Sequence, residues 1–90
     1  LILIFLINGE DVPVETDELE FLYKARNKAL ADSHNTGRPA EEWEIRNEKG
    51  ELLDPNTRVS FGNDLKNGSK LFLTLEVGFG GSTENDSNRK

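Results

Sequence analysis

Chemistry in a chain of 90 residues needs a nucleophile, a base or metal ligands within reach of one another. The sequence has no cysteine, which removes thiolate catalysis, disulfides and Cys-rich zinc sites together. Its one histidine, His34, has no second imidazole with which to share a metal. It follows a helical segment, where a cation complements the helix dipole, so it reads as a solvated helix end. Glu41 and Glu42 are adjacent, and an extended chain points neighbours to opposite sides, so they form no acid–base dyad. No glycine-rich phosphate loop and no nucleophile–base pair can be assembled. The expectation is a protein that is not an enzyme, with no catalytic, metal or cofactor-binding residue and no cofactor. What remains is Gly78-Phe79-Gly80-Gly81-Ser82. About 0.4 Gly-Gly pairs arise by chance in a chain this long, yet one at a single chosen position has a chance of roughly 0.5%. Placement, rather than presence, makes the diglycine informative.

The net charge of −6 repels nucleic acid and acidic membranes, so neither is expected as a partner. The final stretch Ser82–Lys90 holds Glu84, Asp86, Arg89 and Lys90 and is neutral as a unit. The acidity therefore belongs to the folded part, whose electrostatic complement is a basic protein surface. With 34% apolar and 31% charged residues, the chain can build one small domain on a compact core. It is too apolar for a wholly disordered chain. The apolar run Leu1–Ile7 falls far short of the ~20 residues that span a bilayer. It also lacks a basic leader and a cleavage site, so it is a poor signal peptide. Without cysteine, a cytoplasmic location fits.

The diglycine must be positioned by what precedes it. Leu1–Ile7 is a continuous apolar run, as expected of a central strand with both faces at least partly covered. Asn8-Gly9 follows, the dipeptide suited to the positive φ pair of a type I′ turn. Val12, Val14 and Thr16 alternate around Pro13, which marks an edge strand. Asp17-Glu18-Leu19-Glu20 has the form of a capping box, with Thr16 a rival cap, and predicts a helix beginning there. Leu19, Leu22, Ala25 and Ala29 define its buried face, and the helix ends near Ser33 with Gly37 and Pro39 beyond. Trp43 and Ile45 alternate with Glu44 and Arg46 as a half-buried strand, and Leu52-Leu53 begins a short fourth. Leu71, Leu73 and Leu75 alternate with Phe72 and Thr74 as the last strand. The order β-β-α-β-β-β predicts an α+β fold in which the first strand pairs with the second and the last, one helix lying across one sheet face.

At this point the chain resembles the ubiquitin family over nearly all of Leu1–Gly81. The resemblance is carried by the Asn8-Gly9 hairpin, the helix from Glu18 and the block Trp43 to Asp54. It is carried most specifically by the strand Ser69–Leu75 followed shortly by Gly80-Gly81. Pro39, Trp43 and Leu52-Leu53-Asp54 look closest to bacterial ubiquitin-like modifiers encoded with activating-enzyme-like, conjugating-enzyme-like and zinc-peptidase-like partners. The resemblance implies a β-grasp domain over 1–77, a diglycine segment over 78–81 and a disordered, removable tail over 82–90. It implies a modifier joined through its terminal glycine to target amines, for which glycine gives the close backbone approach that a narrow channel needs. Because Ser82–Lys90 follows Gly81, either a peptidase cuts the Gly81–Ser82 bond or the domain is never conjugated. Gly78-Phe79 stands where ubiquitin has a basic stretch, which suggests Phe79 as an anchor for a processing or activating enzyme. Lys49 lies in a turn resembling a chain-forming position and is a candidate acceptor.

Ubiquitin-like sheets bind partners on the face away from the helix. Phe72, Thr74, Glu44 and Arg46 are expected there, joined by Ile2, Ile4 and Leu6 or else by Leu1, Leu3 and Phe5. Parity alone leaves both sets open. The rival functions are a non-conjugated protein-interaction domain and a sulfur carrier of the same fold.

Overall fold

A computed structural model describes residues 1–75 of the chain. Asn8 and Gly9 take φ of 51° and 82°, the positive pair that a two-residue type I′ hairpin requires. They join β1 (Ile2–Ile7) to β2 (Glu10–Glu15) in an antiparallel register from Ile7↔Glu10 to Ile2↔Glu15. After α1 (Leu22–Asp32) and a short 3-10 turn over Ala40–Glu42 come β3 (Trp43–Arg46), β4 (Leu52–Leu53) and β5 (Lys70–Leu75). The sheet order is β2-β1-β5-β3-β4, with β1 and β5 parallel and every other pair antiparallel. The Pro13 strand lies at an edge, as a residue without an N–H must. This is a mixed sheet with one helix packed across one face, an α+β fold of the β-grasp type.

The core lies between α1 and the sheet. Leu3, Phe5 and Ile7 of β1, Val12 and Val14 of β2, Ile45 of β3 and Leu71 and Leu73 of β5 point into it. Leu22, Ala25, Ala29 and Leu30 of α1 meet them, and Val59 and Leu65 close the side left by the long 54–69 connection. No helix among the described residues is long and apolar enough to cross a membrane.

One expectation is overturned. The helix does not start at the Asp17–Glu20 box. Its N-cap is Phe21, with no side-chain cap, and Leu19, assigned above to the buried face, is 61% exposed. The reason is a competing long-range contact. Val59 N–H donates to Glu20 O at 2.8 Å and Ser60 N–H to Glu18 O at 3.0 Å, which holds this segment against the 54–60 loop as a separate turn, closed by Glu20 N–H donating to Asp17 O at 3.1 Å. The free N–H groups of the first helical turn are then taken by carbonyls of that loop, Leu22 N–H by Thr57 O and Tyr23 N–H by Pro55 O, both at 2.9 Å. Glu20 Oε1 accepts instead from Phe21 N–H at 3.0 Å.

The C-terminal end follows the Schellman pattern. His34 N–H donates to Ala31 O at 3.1 Å and Asn35 N–H to Leu30 O at 2.8 Å, with His34 at φ 63°. Ser33 is the C-cap, as its place in the sequence suggests, and its Oγ donates to Ala29 O at 2.8 Å.

Candidate functional site

Alternation along β5 sends Leu71 and Leu73 to the core and leaves Lys70, Phe72 and Thr74 on the opposite face. Strand pairing carries that parity across the sheet. Phe72 lies beside Leu6 of β1 on one side and Arg46 of β3 on the other, and Thr74 lies beside Glu44. Because Leu3, Phe5 and Ile7 are buried, the outward set of β1 is Ile2, Ile4 and Leu6. This decides between the two parities left open by the sequence. Phe72, Thr74, Glu44 and Arg46 thus share the helix-free face, with an apolar strip of Ile2, Ile4, Leu6 and Phe72 running through them.

The flanking charges are paired with each other. Arg46 Nη2 lies 3.3 Å from Glu44 Oε1, and Arg46 Nη1 donates to Gly50 O at 2.8 Å. Lys70 Nζ of β5 lies 3.8 Å from Asp11 Oδ1 of β2, so this pair reaches across β1 over the strip. Each pair is solvent-exposed and weak, about 0–1 kcal/mol, so a partner can rearrange it at small cost. Leu52, 58% exposed and paired with Arg46, extends the apolar surface to the sheet edge. The sequence reading passed over it. The signal was available in Leu52-Leu53, since neighbours in a strand cannot both face the core.

Where β5 reaches Leu75, the strip runs into a depression of about 400 Å³ bordered by Leu6, Asn8, Gly9, Phe72, Thr74 and Leu75. Gly80 follows Leu75 by five positions in the sequence. The expected processing and recognition residues Gly78, Phe79, Gly80, Gly81 and Ser82 lie outside the described residues, as do the segments 78–81 and 82–90. Lys49 is exposed in the turn between β3 and β4. That turn is organised by Asn47, whose Oδ1 accepts from Lys49 N–H and Glu51 N–H, both at 2.9 Å. No three His, Cys, Asp or Glu side chains among the described residues are grouped to hold a metal ion.

A second polar feature lies away from this face. Arg26 of α1 is 4% exposed, and burial pulls its pKa below the usual arginine value while the nearby Glu41 carboxylate pushes it back up. Its spacing could have disclosed it, since Arg26 stands four residues after Leu22 and three before Ala29, within the buried stripe. Trp43 Nε1 is also buried, without an acceptor among the described residues.

Comparison with known proteins places the chain without assigning it an activity. An uncharacterized protein of Sinorhizobium fredii (strain NBRC 101917 / NGR234), y4jI, is 37% identical over 81 residues, which is 89% of this chain and 61% of the relative. The chain thus spans about three fifths of that relative's length. A family described as "Protein of Unknown function (DUF2604)" matches residues 1–81. On the extent of that match, the chain belongs to the DUF2604 family.

Proposed function

We propose that the chain is a ubiquitin-like protein modifier, released by cleavage after Gly81 and joined through that glycine to amines on target proteins. The observation that carries the reading is the parallel pairing of β1 with β5 in a β-grasp sheet, followed within a few residues by Gly80-Gly81. That the family match also ends at residue 81 supports it. A zinc-peptidase-like protein hydrolyses the Gly81–Ser82 amide, leaving a carboxylate on Gly81 and a free amine on Ser82. An activating-enzyme-like protein adenylates the carboxylate with ATP, pyrophosphate leaving. An enzyme thiolate then displaces AMP to give a thioester, and a target amine displaces the thiolate to give the amide. A conjugating-enzyme-like protein carries the thioester, and Phe79 anchors the tail in these enzymes. The helix-free sheet face, with Phe72 at its centre, is the contact surface for them. A cytoplasmic setting goes with this chemistry.

The test is to incubate the full chain with the zinc peptidase encoded near its gene and to weigh the product. Loss of Ser82–Lys90 is expected. Gly81→Val should slow the cut by about a hundredfold, the scale of an ångström's misplacement at a reacting centre. A chain that stays intact under conditions where the peptidase is active on another substrate contradicts the proposal.

A second reading, a non-conjugated interaction domain, is favoured by one observation. The relative in Sinorhizobium is longer than this chain, as expected for a module carried within a larger protein. In that case the same sheet face binds and the diglycine takes no part in conjugation.

A further inference from the structure

The two-residue strand β4 forms an edge of the sheet, with no strand beyond it among the described residues. Between that edge and α1 lies a cleft of about 440 Å³, within the size range of binding clefts. Leu52, Leu53 and Pro55 supply its apolar wall, and Arg26 and Trp43 its buried donors. The Arg26 Nε–H donates to Asn27 Oδ1 at 3.1 Å. Its terminal nitrogens have no protein acceptor among the described residues, and it forms no ion pair with them. They are not sealed, because Trp43 Nε1 is the polar side-chain atom that is both buried and unpartnered there. Arg26 therefore opens onto this cleft and onto an adjoining hollow of about 290 Å³ beside Tyr23 and Asn56.

The charges decide what such a cleft can hold. Glu41 already offsets the Arg26 charge through space, and Glu44 and Asp54 also border the cleft. Glu44 is already paired with Arg46, which leaves Glu41 and Asp54 facing the one guanidinium, and two carboxylates against it repel a free anion. What Arg26 lacks is hydrogen-bond acceptors, and neutral carbonyl oxygens supply them. What Glu41 and Asp54 lack is a cation in an ion pair among the described residues. An extended peptide with a basic side chain offers both, and an open strand edge is where such a segment adds by main-chain hydrogen bonds. The net charge of −6 favours the same partner at long range.

We propose that the cleft between α1 and β4 binds an extended segment of a partner protein. A main-chain carbonyl of that segment accepts from Arg26, and a lysine or arginine lies against Glu41 and Asp54. This site is independent of the diglycine and stands whether or not the chain is conjugated.

A display library of random heptapeptides panned against the full chain tests it. Selected peptides should carry Lys or Arg between apolar residues and should shift the indole N–H resonance of Trp43, the sole tryptophan. Arg26→Met should weaken them by about tenfold or more, as expected for loss of a charge-assisted hydrogen bond. Leu19→Ser, at an exposed residue outside the cleft lining, should not. Should Arg26→Met fail to fold, the exposed rim variants Glu41→Gln and Asp54→Asn carry the test. Each should weaken binding, and added salt should weaken the wild type in the same direction. Selection of acidic peptides or of none, an unmoved indole, or binding that survives Arg26→Met and is lost in Phe72→Thr overturns the proposal.

Discussion

His34 illustrates how a single residue can be placed by the backbone rather than by its side chain. At φ 63° it occupies the left-handed position that closes α1, where a residue with a Cβ is strained and glycine is at ease. The imidazole is exposed and forms no hydrogen bond among those of the described residues, so little opposes the change. His34→Gly is expected to stabilise the domain by about 1 kcal/mol in urea unfolding. A destabilised variant would mean that the ring makes a contact the geometry does not reveal. Arg26 is the opposite case, a side chain whose surroundings matter more than its backbone. Its charge is held in the helix interface at a cost that Glu41 reduces, and its placement follows from the same spacing that buries Leu22 and Ala29.

At the scale of elements, the start of α1 separates local propensity from tertiary structure. The Asp17–Glu20 box is a good local signal, yet the loop carbonyls of Pro55 and Thr57 hold the first helical N–H groups. Asp17→Ala should therefore change stability by less than about 0.5 kcal/mol, whereas loss of a working N-cap costs about 1. Val59→Ala, in the fully buried residue that pins the loop, should cost about 2 kcal/mol or more. Equal effects of the two substitutions in urea unfolding would restore the capping box. The same contrast explains what the sequence disclosed. The Asn8-Gly9 hairpin, the alternation of β5 and the stop at Ser33 rest on neighbours within a few residues, and all are present. The helix start and the outward parity of β1 rest on contacts between segments tens of residues apart. In β1 every residue is apolar, so only its register with β5, Leu6 beside Phe72 and Phe5 beside Leu71, decides which set faces out.

At the scale of the whole molecule, the sheet separates two tasks. One face packs α1 and holds the core, and the other presents Ile2, Ile4, Leu6 and Phe72, with the Glu44–Arg46 pair beside them and the Lys70–Asp11 pair across β1. Phe72→Thr puts a β-branched residue, itself suited to a strand, into β5 and should leave the melting temperature nearly unchanged. On the modifier proposal, it should weaken binding to an activating-enzyme-like protein by roughly 2 kcal/mol, about thirtyfold, as for a central aromatic anchor. Calorimetric titration of the two proteins checks this, and unchanged affinity would move the contact off the sheet. The placement of Phe72, Thr74, Glu44 and Arg46 on that face was legible because β-strand parity is local and the pairing of neighbouring strands preserves it. Leu52 and Arg26 were not singled out, since their significance comes from a strand edge and a cleft that exist only once the chain is folded.

The measurement that bears most directly on the modifier proposal is the intact mass of the full-length protein recovered from cells that keep its genomic neighbourhood. The proposal predicts a species ending at Gly81, with adducts in which that species is added to other proteins. A chain still ending at Lys90, with no adduct, would contradict it and leave a binding module that works through its sheet.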